Sequence, residues 1–120
     1  MATTASTFHD SVDYKIIRES ATTTTVISNV TTAPGSLYTV KMINGSSSIA
    51  YLKIFDAGVV VLGTTMPILV LPVVGSGNEV YEIPGGLPFT TLSFAATLNQ
   101  NPLDTTVPAS GTVDVKLICT

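Results

Sequence analysis

The sequence predicts an all-β protein, an antiparallel β-sandwich of Greek-key or jelly-roll type with an extended amino-terminal arm. Three observations predict it. Charged residues make up only 11% of the 120 residues, and Val, Ile and Thr outweigh the long-chain helix formers Glu, Lys, Arg and Gln. From residue 36 onward, short β-branched and aromatic runs are separated by clusters of Gly, Pro, Asn and Ser. Two later segments alternate apolar and polar residues with period two. By size scaling, a chain of this length buries roughly two-thirds of its unfolded surface, which is enough for one modest core and not for two.

The elements follow in order. Residues 1–35 are set apart as an arm or edge-strand segment, and residues 36–120 as the sandwich domain. Within the first part, Met1 to Ser11 is small and polar around a single Phe8. Val12 to Ile17 reads as a strand, either at the edge of the chain's own sheet or as an arm that adds to another subunit. Leu37 to Ile43 and Ile49 to Asp56 are strands joined by a loop holding Asn44 and Gly45, the cue for a hairpin. A turn at Ala57 and Gly58 leads to Val59-Val60-Val61-Leu62, read as a short apolar strand. Ile68 to Val73 is a further strand, and Pro72 confines it to an edge or a bulge.

Gly75-Ser76-Gly77-Asn78 is a hairpin loop ahead of a strand from Glu79 to Ile83, and Pro84-Gly85-Gly86 is a turn. Phe89 to Leu98 places Leu92, Phe94, Ala96 and Leu98 toward a core and Ser93, Ala95, Thr97 and Asn99 toward water. A polar segment from Asn99 to Gly111 is long enough to cross between sheets. The last strand turns Val113, Val115, Leu117 and Cys119 inward, with Asp114 and Lys116 outward.

Charge and chemistry narrow the function. Five Lys and Arg residues and a net charge of −3 leave no cationic surface for phosphates, so neither nucleic acid nor a membrane is an expected partner. The most apolar stretch, Val59 to Val74, is too short for a membrane helix and holds Gly63, Pro67 and Pro72. No basic and apolar leader opens the sequence, which sets assembly in the cytoplasm as the expectation.

One Cys and one His offer neither a zinc cluster nor a catalytic constellation. His9, Asp10 and Asp13 lie in a polar terminus, Glu79 and Glu82 fall on opposite faces of a strand, and Cys119 points inward. No catalytic residue, metal or cofactor is assigned, and no enzymatic activity is expected. One Tyr with polar loops leaves carbohydrate binding open as an adhesion reading.

The middle of the chain also carries a pattern. Tyr51-Leu52-Lys53-Ile54-Phe55-Asp56 is followed by Val61-Leu62-Gly63-Thr64-Thr65-Met66-Pro67, and then by Leu71-Pro72-Val73. Ile83-Pro84-Gly85-Gly86-Leu87-Pro88-Phe89 and Leu92-Ser93-Phe94-Ala95-Ala96-Thr97 complete it. Over residues 36–98 this succession resembles small virion structural proteins of tailed bacteriophages, a group holding capsid decoration (cement) proteins and tail- or fibre-associated proteins. The resemblance implies a structural protein on the capsid surface, with a major capsid protein or other virion proteins as partners and a homodimer or homotrimer as its form. It transfers no catalytic residue. The candidate contact residues are Phe8, Tyr14, Ile16 and Ile17 in the arm, and Val59, Val60, Val61 and Leu62 where their side chains stay exposed.

Overall fold

The computed structural model describes residues 2–7, 14–20, 26–28, 30–109 and 112–120. Its strands are β1 (Ala2–Thr7), β2 (Lys15–Ser20), β3 (Gly35–Asn44), β4 (Ala50–Asp56), β5 (Leu69–Val73), β6 (Gly77–Phe89), β7 (Leu92–Thr97) and β8 (Val113–Cys119). Among the described residues there is no helix, as the composition requires. All pairings are antiparallel, in a five-stranded sheet ordered β1-β2-β8-β3-β6 and a three-stranded sheet ordered β5-β4-β7.

One apolar cluster draws on both sheets. Ile17, Leu37, Val40, Met42, Val113, Val115, Leu117 and Cys119 come from the larger sheet, and Ala50, Leu52, Ile54, Leu71, Val73, Leu92 and Phe94 from the smaller. The alternation expected of β8 is met, because its four inward residues are all buried. Residues 15–20 form a strand of the chain's own sheet but not an edge strand, since β2 lies between β1 and β8. β2 pairs with β8 of the same chain, and Ile17 is wholly buried in that chain's core. Pro72 sits on β5, an outer strand of the smaller sheet, where its missing N–H breaks no ladder.

The expected hairpin between β3 and β4 does not form. β3 pairs with β6 and β8, while β4 pairs with β5 and β7. Asn44 is buried, and its Nδ2 donates to the carbonyls of Ser48 (2.7 Å) and Val73 (3.3 Å). Its Oδ1 accepts from the Ser46 N–H (3.0 Å) and the Ser46 hydroxyl (2.8 Å). The Asn–Gly pair is thus the hub of a corner that carries the chain from one sheet to the other. The loop at 74–76 also crosses between sheets and is no hairpin, since β5 and β6 lie in different sheets. The Ser76 N–H donates to the Ser46 carbonyl (2.7 Å) and ties the two corners together.

β6 runs through the expected turn at 84–86. Its register against β3 jumps from Leu37↔Leu87 to Thr39↔Glu82, so residues 83–86 bulge opposite Tyr38. Gly86 has φ +81°, and a Cβ there would lie 2.8 Å from Tyr38 Cε1. The expected solvent face of β7 is also overturned, since Ser93 and Thr97 are fully buried and Ala95 is 4% exposed. Irregular segments cover that side: the Ser93 hydroxyl donates to the Ala57 carbonyl (2.6 Å), and the Thr97 hydroxyl to the Asn99 carbonyl (3.0 Å). The free edge of β7 is covered as well, by Ile27, which exchanges two 2.9 Å backbone hydrogen bonds with Phe94.

Among the described residues, Glu19 is the exception in a satisfied interior. It is 1% exposed, and neither carboxylate oxygen has a hydrogen-bond partner. Burial pushes its pKa above the ordinary 4.5, against a lesser pull from the chain's amino terminus. A raised folded pKa stabilises the fold below the unfolded value and loses that contribution as pH rises through the folded value. Thermal melts are therefore expected to show Glu19→Gln more stable than the parent at about pH 7, with the gap closing near about pH 4.

The corner predicts a second outcome. A Cβ on Gly75 would lie 2.3 Å from the Ser47 carbonyl oxygen and 2.5 Å from its carbon, both backbone atoms. Gly75→Ala is expected to cost about 1–3 kcal/mol in urea unfolding. Gly58→Ala, whose new methyl meets Thr91 Cγ2 at an ordinary 3.6 Å, is the control.

Candidate interaction surfaces

Among the described residues, no group of three or more His, Cys, Asp and Glu side chains is placed to hold a metal. Among the described residues, no helix is long and apolar enough to cross a membrane. Cys119 is buried, and desolvation pushes its thiol up to about 11 against a smaller opposing pull from Lys15, so it behaves as a core residue. Glu79 stands opposite buried Met42 and Glu82 opposite Thr39, on different faces of β6. Phe8, His9, Asp10 and Asp13 lie outside the described residues.

The other expected contact residues separate. Tyr14 is 37% exposed and meets Tyr38 edge to face, with centroids 5.9 Å apart and planes at 87°. Ile16 is half-buried beside Ile118. Ile17 points the other way under strand alternation, into the core, and offers no surface.

Val59-Val60-Val61-Leu62 is not a strand. Both neighbours of β4 are already taken, and the run enters a turn in which the Thr64 and Thr65 N–H groups donate to the Val61 carbonyl (3.0 and 2.9 Å). The Val61 N–H donates to the Thr65 hydroxyl (3.0 Å), and Gly63 takes φ +92°. The consequence is exposure: Val59 is 81% and Val61 55% accessible, while Val60 and Leu62 are half-buried.

Lys53 organises the opposite end of this layer. It alternates with Leu52 and Ile54, which face the core, and so projects from the outer face of the three-stranded sheet. There it is wholly buried. Its ammonium donates to the carbonyls of Asn101 (2.6 Å) and Asp104 (3.3 Å). Burial lowers its pKa below the ordinary 10.5, and Asp104 opposes that shift.

The clamped loop is also braced within itself. Asn99 donates from its backbone N–H and its Nδ2 to the Asp104 carboxylate (both 3.3 Å), the Thr106 hydroxyl donates to the same carboxylate, and the Leu103 N–H donates to Asn101 Oδ1 (3.0 Å). The hydrogen bonds from Thr106 and Asn99 hold the Asp104 carboxyl below its ordinary pKa.

Between this loop and the sheet lies a cleft of about 580 Å³ lined by Tyr51, Val70, Pro72, Gln100, Asn101 and Pro102. The sequence reading did not assemble these residues, nor did it see Lys53 as buried. The available signal was a lone lysine between Leu52 and Ile54-Phe55, in a strand with no other polar residue before Asp56 except the Tyr51 hydroxyl.

A second feature stands on the outer face of the larger sheet. Arg18 pairs with Lys116, and Lys116 with Lys41, so three of the chain's five basic residues form one cross-strand row. Compared with known proteins, the chain matches no family model, no curated protein and no solved structure.

Removing the clamp gives a direct test. Lys53→Met keeps the length and apolar stem but leaves the Asn101 and Asp104 carbonyls without their donor, at an expected cost of about 1–3 kcal/mol. Hydrogen exchange should quicken at the Leu103 and Asp104 amides, with the β3 and β8 amides changed far less.

Proposed function

We propose that this chain is a non-enzymatic virion structural protein, a capsid decoration protein that binds and stabilises the shell built by a major capsid protein. The observation that carries the reading is the apolar loop between β4 and β5. Val59, Val61, Met66 and Ile68 are 81%, 55%, 60% and 44% exposed along a single connection. Leu103, 44% exposed, extends the patch from the neighbouring loop, where its carbonyl lies 3.8 Å from a Cβ position on Gly63. Monomeric soluble proteins seldom leave contiguous apolar surface of this kind uncovered. A partner that covers it gains roughly 25 cal/mol per Å² of apolar area removed from water.

The architecture belongs to the same proposal. The chain is a two-sheet sandwich of Greek-key type, whose connections after β3, β5, β6 and β7 each change sheet. Within the arm segment of residues 1–35, β1 lies on the outer edge of the larger sheet, where a strand from a neighbouring subunit adds by backbone pairing. Subunits assemble in the host cytoplasm and sit on the capsid surface as dimers or trimers, where symmetry multiplies a modest contact into avidity. A tail, baseplate or fibre location is the alternative consistent with the same resemblance.

Two measurements test this. Quantified in purified virions, the chain is expected on the order of hundreds of copies per particle, the multiplicity that avidity on a shell requires; a handful would place it in the tail, and none would end the reading. In a pelleting assay with undecorated shells, Val59→Asp combined with Val61→Asp is expected to weaken binding at least about tenfold. The melting temperature should barely change, because both side chains already meet water. Truncation of the arm must stop at residue 13, since Ile17 belongs to the core.

A further inference from the structure

We propose that the cleft between β4, β5 and the 98–106 loop is a binding site for neutral carbohydrate. Its volume of about 580 Å³ falls within the roughly 300–1,000 Å³ usual for small-ligand sites. The lining divides by chemistry. Val70, Pro72 and Tyr51 form an apolar floor from two paired strands, with Tyr51 directly opposite Pro72. The carboxamides of Gln100 and Asn101 stand beside it, with Pro102 completing the wall. No lining residue carries a formal charge at neutral pH.

That combination selects a ligand class. A pyranose presents an apolar face of C–H groups and a rim of hydroxyls, each able to donate and accept. The negative face of an aromatic ring attracts the C–H groups, and a carboxamide both donates and accepts, matching a hydroxyl. An anionic or cationic ligand finds no counter-charge in this lining. A purely apolar ligand covers the two carboxamides without satisfying them.

The site is also built in advance. Lys53 holds the backbone of Asn101, and the Leu103 N–H engages Asn101 Oδ1. From the other sheet, the Tyr81 hydroxyl donates to the Pro72 carbonyl (2.7 Å) and braces the floor. Groups fixed before the ligand arrives lose little freedom when it binds. The site is independent of shell binding and stands whether or not the chain decorates a capsid.

The test uses the full 120-residue chain. With no Trp in the sequence, its emission reports Tyr alone. Glucose, galactose, mannose and N-acetylglucosamine, as monosaccharides and as disaccharides, are titrated by Tyr fluorescence and by amide NMR. Saturable binding to at least one sugar is expected, with shifts at the Gln100 and Asn101 side-chain amides.

Tyr51→Ala and Gln100→Ala should each weaken binding about tenfold or more, and Tyr51→Phe should retain it. Gln100 is exposed, so its variant decides the matter if Tyr51→Ala fails to fold. The proposal is overturned if no sugar of the panel binds saturably. It is equally overturned if binding survives at parental affinity in Gln100→Ala, or if a proline-rich peptide shifts these amides where the sugars do not.

Discussion

The outer face of β7 and of the middle of β4 is buried, and its side chains include an ammonium and two hydroxyls. The loops packed on that face are placed by the need to answer them. Lys53, Ser93 and Thr97 each reach a backbone carbonyl of an irregular segment, at Asn101, Ala57 and Asn99 respectively. A buried donor without an acceptor costs about 1–3 kcal/mol, so each of these contacts pins a loop to one position. The two loops meet over the sheet, where a Cβ on Gly63 would lie 2.9 Å from Thr105 Cγ2. Polar atoms thus register the loops, and the loops in turn carry the exposed Val59 and Val61 on one side and the Tyr51 cleft on the other.

What the sequence disclosed depends on whether a local pattern was enough. The β8 alternation, the strand character of 37–43 and 49–56, and the edge position of Pro72 all follow from properties of a few adjacent residues. β7 shows where that reasoning stops. Its alternation of Leu92, Phe94 and Ala96 with Ser93, Ala95 and Thr97 distinguishes two faces but says nothing of a loop folded over the polar one.

Asn44 shows a second limit. An Asn-Gly pair favours a tight turn, yet the amide of this Asn is spent on Ser48 and Val73, a residue far along the chain. The candidate cleft was hidden for the same reason, because Lys53 and Asn101 are 48 residues apart and only the folded sheet joins them. Val59 and Val61 were named from their apolar character. That they form a turn was not visible, since nothing local says that both flanks of β4 are occupied.

The two sheets present unlike surfaces to a partner. On the larger sheet, Arg18, Lys116 and Lys41 stand side by side, and like charges in direct cross-strand positions repel. Ile43 and Val80 are exposed beside that row, at 45% and 54%. The same face also carries Asp114 opposite Ile43 and Glu82 opposite Thr39, so it is mixed in charge.

The seclusion of Cys119 makes the molecule its own gauge of local opening. The sulfur lies on the last residue of β8, the strand flanked by β2 and β3, so an alkylating reagent reaches it only when that end of β8 parts from Lys15 and Leu37. Reaction at this one atom counts those openings, and no label or engineered residue is needed to follow them.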